Sequence, residues 1–188
     1  KKDFYAAKAW EEVKRRCGRI KCASRKVGMR RKMIRSLVLP KVLWAAAWER
    51  APNKQMHKLR TQIEKCVRRQ WGVCTSARSR LLVWDTHLGP EVCPFHYAMS
   101  RAIGMERRRL RREVGGKPRI VMMGKGDPMV NVCDRLGWIH KEGSKYETRD
   151  GILDLNYDGK ATIKAVTRRA WVDWMWINES RVLRSQGQ

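Results

Sequence analysis

Acidic residues are scarce in this chain of 188 residues: 18 Asp and Glu stand against 43 Lys and Arg. No two aspartates are adjacent, so the convergent carboxylates with which a polymerase holds magnesium are missing. No apolar run nears the roughly 18 residues of a membrane-crossing helix, which leaves no span to expect. An apolar leader is missing too, since the chain opens Lys1, Lys2, Asp3. Without an initiating methionine, it is expected to be a piece of a longer product. The six cysteines, at 17, 22, 66, 74, 93 and 133, form no Cys-x-x-Cys pair. Scattered thiols in a basic chain point to a reducing location, nucleus or cytoplasm.

What is present is positive charge. The formal charge is +25 and the sequence pI near 10.6. Such a field repels itself unless a polyanion neutralises it. Nucleic acid is the commonest polyanion that selects for this composition, and an anionic membrane surface is the competitor. Hydrophobic residues make up 43%, too many for a disordered chain. The length allows one domain or two small ones.

Apolar residues at helical spacing predict a helix over 5–20, with Trp10, Val13, Cys17 and Ile20 inward. A second helix over 26–49 carries Met33, Ile34, Leu37, Val38, Val42 and Leu43, kinked or split at Pro40. Trp44 and Trp48 lie one turn apart on it. A third helix runs from the Pro52-Asn53 loop to Trp71, with Met56, Leu59, Ile63, Cys66 and Val67 inward. A short helix is expected over 76–84, a loop over 85–93, and a helix from Pro94 to Glu113 with Phe95, Met99, Ala102, Ile103 and Leu110 buried. Residues 115–128 are rich in Gly and Pro and read as a linker. Beyond it come a helix at 130–136, strands at 138–140 and 146–148, an Asp150-Gly151 turn, and a strand at 152–155. A last helix over 161–183 should turn Ile163, Val166, Ala170, Trp174 and Ile177 inward. The fold class is therefore mainly α: a helical bundle over 1–114, the linker, and a small α+β piece over 129–188.

Four of these helices carry basic faces with few acids to pair them. The candidate phosphate-contacting residues are Arg30, Arg31, Arg35, Lys58, Arg68 and Arg69, extended by Arg107, Arg108, Arg111 and Arg112. Arginine suits bidentate phosphate contacts, and such contacts give affinity without sequence choice. The nine tryptophans can stack on unpaired bases, but Trp44, Trp48 and Trp71 sit on apolar stripes and read as core. Trp171 and Trp176 share a helix that cannot bury every side. Cys66, Cys74, Cys93 and His96 can be assembled into a zinc set only at spacings unlike a tight knuckle; buried free thiols are the default. No metal or cofactor is expected in this chain. His57, His87, His96 and His140 read as ordinary polar residues.

Taken in order, the landmarks resemble a known family. Arg35-Ser-Leu-Val-Leu-Pro40-Lys-Val-Leu-Trp44 resembles the helix just past the palm of non-LTR retrotransposon reverse transcriptases. Pro52, the helix with Leu59-Arg60, Trp71-Gly72, the Ser79–His87 stretch and the Pro94–Arg112 helix follow in a similar order. So do Leu136-Gly137-Trp138, Asp150 to Leu155, and the basic Trp-bearing helix from Arg168 to Trp174. The resemblance implies a thumb domain and the C-terminal region of an RNA-directed DNA polymerase. It implies grip on template and primer, an upstream polymerase domain as partner, and magnesium only in the absent palm. No catalytic residue carries over.

The expected function is thus binding of RNA, DNA or an RNA–DNA hybrid by a non-catalytic segment. A stand-alone RNA-binding or ribonucleoprotein assembly factor is the alternative. A ribonuclease H-like nuclease using Asp158 is a further one, but only Asp173 and Glu179 follow that residue. A scaffold for an acidic protein is the last.

Overall fold

The computed structural model describes residues 7–43, 53–68, 82–113 and 127–186. It is mainly helical, with one small antiparallel sheet near the C-terminal end. The elements fall into two compact units, divided between Tyr97 and Ala98 and again between Asn178 and Glu179. Trp44, Trp48, Trp71, Arg69, Cys74 and nearly all of the expected helix at 76–84 and linker at 115–128 lie outside the described residues.

The first unit is built on helices α1 (Ala7–Ala23), α2 (Val27–Met33), α3 (Leu39–Val42) and α4 (Asn53–Arg68). Val13, Cys17 and Ile20 of α1 are buried, as are Met56, Leu59, Ile63, Cys66 and Val67 of α4. These are the stripes that their spacing predicts, and each fully buried Leu or Ile is worth roughly 1.5–3 kcal/mol. The interruption at Pro40 is a π turn over Ile34–Val38, closed by Leu39 N–H donating to the Ile34 carbonyl. Proline lacks the N–H that an α-helix would need there, and its ring crowds the carbonyl four residues back. The wider turn admits one extra residue per turn. Its consequence is a shifted face: Ile34, Val38, Leu39 and Leu43 are buried, while Leu37, expected inward, is 46% exposed. Arg16 donates to the Leu37 carbonyl at 2.9 Å. Residues 85–93, expected as a loop, instead lie in a second π turn (Trp84–Leu88) and a 3-10 turn (Pro90–Val92). Gly89 joins them at φ +77. A Cβ there would meet the Arg31 and Glu91 side chains under 3 Å.

The second unit takes most of helix α5 (Pro94–Glu113), then α6 (Pro128–Leu136), strands β1 (Ile139–His140), β2 (Lys145–Thr148) and β3 (Gly151–Asp154), and α7 (Lys160–Gln186) up to Asn178. Helix α6 starts on Asp127, whose side chain accepts from Met129 N at 2.8 Å, with Pro128 behind it. It stops at Gly137, in the left-handed region at φ 68. The strands pair in the order β1-β2-β3, with Tyr146 opposite both His140 and Leu153. Tyr146 and Leu153 are buried on the inner face; Ile139 and Ile152 stand on the outer face, both opposite Glu147. Arg149 and Asp150 form the β2–β3 turn. Each pairs with α7: Arg149 with Asp173 at 3.0 Å, Asp150 with Arg169 at 2.9 Å.

Helix α7 faces the core differently from the expectation. Ile163, Thr167, Trp171 and Met175 are buried, while Val166, Ala170 and Trp174 are half-buried and Ile177 is 55% exposed. Thr167 is tolerated because its hydroxyl donates to the Ile163 carbonyl at 2.7 Å.

Candidate nucleic-acid interface

Helices set which arginines reach solvent, and several candidates turn inward. Arg30 is 4% exposed. Its guanidinium donates to the Cys66 carbonyl at 3.1 Å and the Arg25 carbonyl at 2.9 Å. A buried cation needs such partners, so Arg30 is a brace between α2 and α4, and its expected place in a phosphate track is corrected. Arg31 is half-buried and ion-paired with Glu91. Arg68 pairs with buried Glu64 at 3.0 Å, and its own side chain is 11% exposed. Arg60 of α4 is also buried. It lies 4.8 Å from the centroid of the Trp84 ring, whose indole N–H points to Glu64 Oε2 at 3.4 Å. Arg60, Glu64 and Arg68 make a small polar cluster beside Trp84. In the second unit Arg107 donates to the Asp158 carbonyl at 2.7 Å.

The remaining described candidates face solvent. Arg35, Lys58, Arg108, Arg111 and Arg112 are exposed; Lys58 also covers the Trp10 ring at 4.6 Å. The structure adds residues that the basic runs alone did not single out. On α4, Lys54 and Lys65 join Lys58 at helical spacing on one exposed face. On α5, Arg101 aligns with Arg108 and Arg112. On α7, Lys160, Lys164 and Arg168 follow one another turn by turn, all exposed. The signal that would have found them is the 3.6-residue period applied to charge rather than to apolar residues.

Eight of the described acids are engaged by other cations. Glu11 and Glu12 pair with Lys14, Arg15 and Arg16; Glu64 with Arg68; Glu106 with Arg109; Glu147 with Lys141. Glu91, Asp150 and Asp173 are taken up by Arg31, Arg169 and Arg149. Arg35, Lys54, Lys65, Arg101, Arg108, Arg111, Arg112, Lys160, Lys164 and Arg168 make no ion pair with any described residue.

The other described candidates are held by local contacts. Asp158, weighed above as a nuclease carboxylate, spends Oδ2 on the Asp154 backbone N–H at 2.7 Å. Cys66 is buried with its thiol 3.2 Å from the Cys17 carbonyl, and the two thiols interact closely enough to push the Cys17 value up and draw the Cys66 value down. Cys93 and His96 are buried on the first unit's side of α5. Among the described residues no group of three His, Cys, Asp or Glu is placed to hold a metal. No described helix is long and apolar enough to cross a membrane. No protein-family model matches the chain, and neither a curated protein nor a solved structure does.

Proposed function

We propose that the chain binds nucleic acid through the phosphate backbone, without chemistry of its own. The observation that carries this reading is the separation of charge. Eight of the described acids are held in ion pairs, and the surplus cations are left in exposed rows on α4, α5 and α7. Rows of cations one helical turn apart track a phosphate chain, and they release its counterions on binding. Solubility alone does not call for so large an excess of one sign.

The order of sequence landmarks supports a narrower proposal. In it the chain is the thumb and C-terminal region of a retroelement reverse transcriptase and grips template and primer while an upstream palm does the chemistry. Among the described residues the exposed cations of this reading are Arg35, Lys54, Lys58 and Lys65 in the first unit and Arg101, Arg108, Arg111 and Arg112 in the second. The test is titration of a labelled RNA–DNA hybrid, a DNA duplex and single-stranded RNA at several salt concentrations. Affinity should fall steeply with salt, with the hybrid preferred. Weak binding that ignores salt would sink nucleic-acid recognition and turn attention to an acidic protein partner.

A further inference from the structure

Tyr157 is 84% exposed, the largest exposure among the exposed large apolar and aromatic side chains described. It stands in the loop between β3 and α7, and its hydroxyl takes no hydrogen bond from a described residue. A lone exposed aromatic needs no explanation in general. This one is set on a heavily braced loop. Asp154 Oδ1 accepts from Ser144 Oγ at 2.5 Å, from Asn156 N at 2.9 Å and from Tyr157 N at 3.3 Å. Asp158 Oδ2 accepts from Asp154 N at 2.7 Å, and Asp158 N donates back to the Asp154 carbonyl at 2.9 Å. Arg107 of α5 holds the Asp158 carbonyl from outside. The backbone on both sides of Tyr157 is thus fixed while its ring faces water.

Exposed cations follow that ring along the chain. Lys160 lies three residues on, and Lys164 and Arg168 continue the row along α7. Arg111, one turn beyond Arg107 on α5, is exposed as well. None of these four has an acidic partner among the described residues. An exposed aromatic on a fixed loop that leads into an exposed cation row suits one kind of ligand: bases free to stack, joined by phosphates. A duplex offers the phosphates but keeps its base faces covered.

We propose that the second unit binds an unpaired polynucleotide strand, with Tyr157 as the stacking platform and Lys160, Lys164 and Arg111 as its phosphate contacts. The inference rests on the nucleic-acid reading above and adds which form of strand this surface takes. Base–aromatic stacking tolerates any base, so the surface selects single strands without selecting sequence. The braced loop keeps the ordering cost of binding low, because the platform is already in place.

The experiment uses the full chain and two fluorescent probes: an oligouridine of about 12 nucleotides, within the usual size of such sites, and an RNA–DNA hybrid of equal length. Tyr157→Ala should weaken oligouridine binding roughly tenfold and leave the hybrid within twofold. Tyr157→Phe should keep the wild-type affinity for both. Lys160→Gln with Lys164→Gln should lower the salt dependence of oligouridine binding. Tyr157 makes no side-chain contact that folding would miss, so circular dichroism of each variant should match the parent. Unchanged oligouridine binding in Tyr157→Ala would overturn the platform and leave the broader reading standing. Absence of binding to either probe by the parent chain would overturn both.

Discussion

Arg30 donates a hydrogen bond to the main-chain carbonyl of Cys66, 3.1 Å away, from inside the core of the first unit. Five residues along the chain, Arg35 stands exposed in the π turn. Two arginines from one basic run therefore have opposite work: one organises backbone, the other is open to a ligand.

That contrast is measurable. Arg30→Ala should destabilise the chain by roughly 2–4 kcal/mol, because it takes the guanidinium donor from the buried Cys66 carbonyl and breaks the bond to the Arg25 carbonyl. Arg35→Ala should change stability by less than about 0.5 kcal/mol and lower the salt slope of nucleic-acid binding by about one. Urea unfolding and salt titration of both variants separate the roles. Equal stability of the two variants would refute the brace.

The exposed row on α5 makes a collective prediction. Replacing Arg101, Arg108 and Arg112 together by Gln should reduce the salt slope by up to about three, with folding intact. Circular dichroism and binding at graded salt are the readouts. An unchanged slope would remove this row from the interface.

The buried face of α7 can be tested by truncation. Trp171→Ala should cost roughly 3–5 kcal/mol through the cavity it leaves. Ile177→Ala should cost less than about 0.5 kcal/mol, since that side chain is 55% exposed. The expectation from sequence alone had placed Ile177, and not Trp171, on the inward stripe. The error has a physical source: Trp171-Val172 and Trp174-Met175-Trp176-Ile177 are apolar all round the helix, so the period does not select a face. Helices α1 and α4 were legible because Lys and Arg separate their apolar residues on one stripe. Leu37 was misplaced because a π turn adds a residue that no helical period anticipates. The inward turn of Arg30, Arg60 and Arg68 was hidden for another reason. A charged residue reads the same in sequence whether its partner is water or a buried carbonyl. The sheet was nearly right, with its turn at Arg149-Asp150 one residue earlier than expected.

Acid should loosen the platform loop. Burial pushes the Asp154 carboxyl up, but the hydrogen bond from Ser144, the N–H groups of Asn156 and Tyr157, and the charge of Lys145 outweigh it. The net value lies below the ordinary 3.8. A lowered carboxyl contributes stability that is fully present above 3.8 and is lost as pH falls through its folded value. The melting difference between the parent and Asp154→Asn should hold from neutral pH to about pH 5 and shrink below 3.8. A difference that stays constant into that acid range would contradict the account.

Thiol labelling gives a check on burial. Cys22 is exposed, whereas desolvation, with Asp134 and Asp127 nearby, pushes the Cys133 thiol up to about 12. At neutral pH Cys133 should stay protonated and react slowly, so mass spectrometry after brief alkylation should find Cys22 labelled ahead of Cys133, Cys17, Cys66 and Cys93. Early labelling of Cys133 would place it at the surface.

The π turn before Pro40 makes length negotiable at one point of the chain. It stores a spare residue, and the exposed positions Arg35, Ser36 and Leu37 are where that spare can be surrendered. Loss of one codon there can be absorbed by tightening the wide turn, with Ile34 and Leu39 still addressing the same interior. The same loss between Val13 and Ile20 would swing every later side chain of that helix by about 100°. Drift in gene length should therefore be forgiven at the first place and punished at the second.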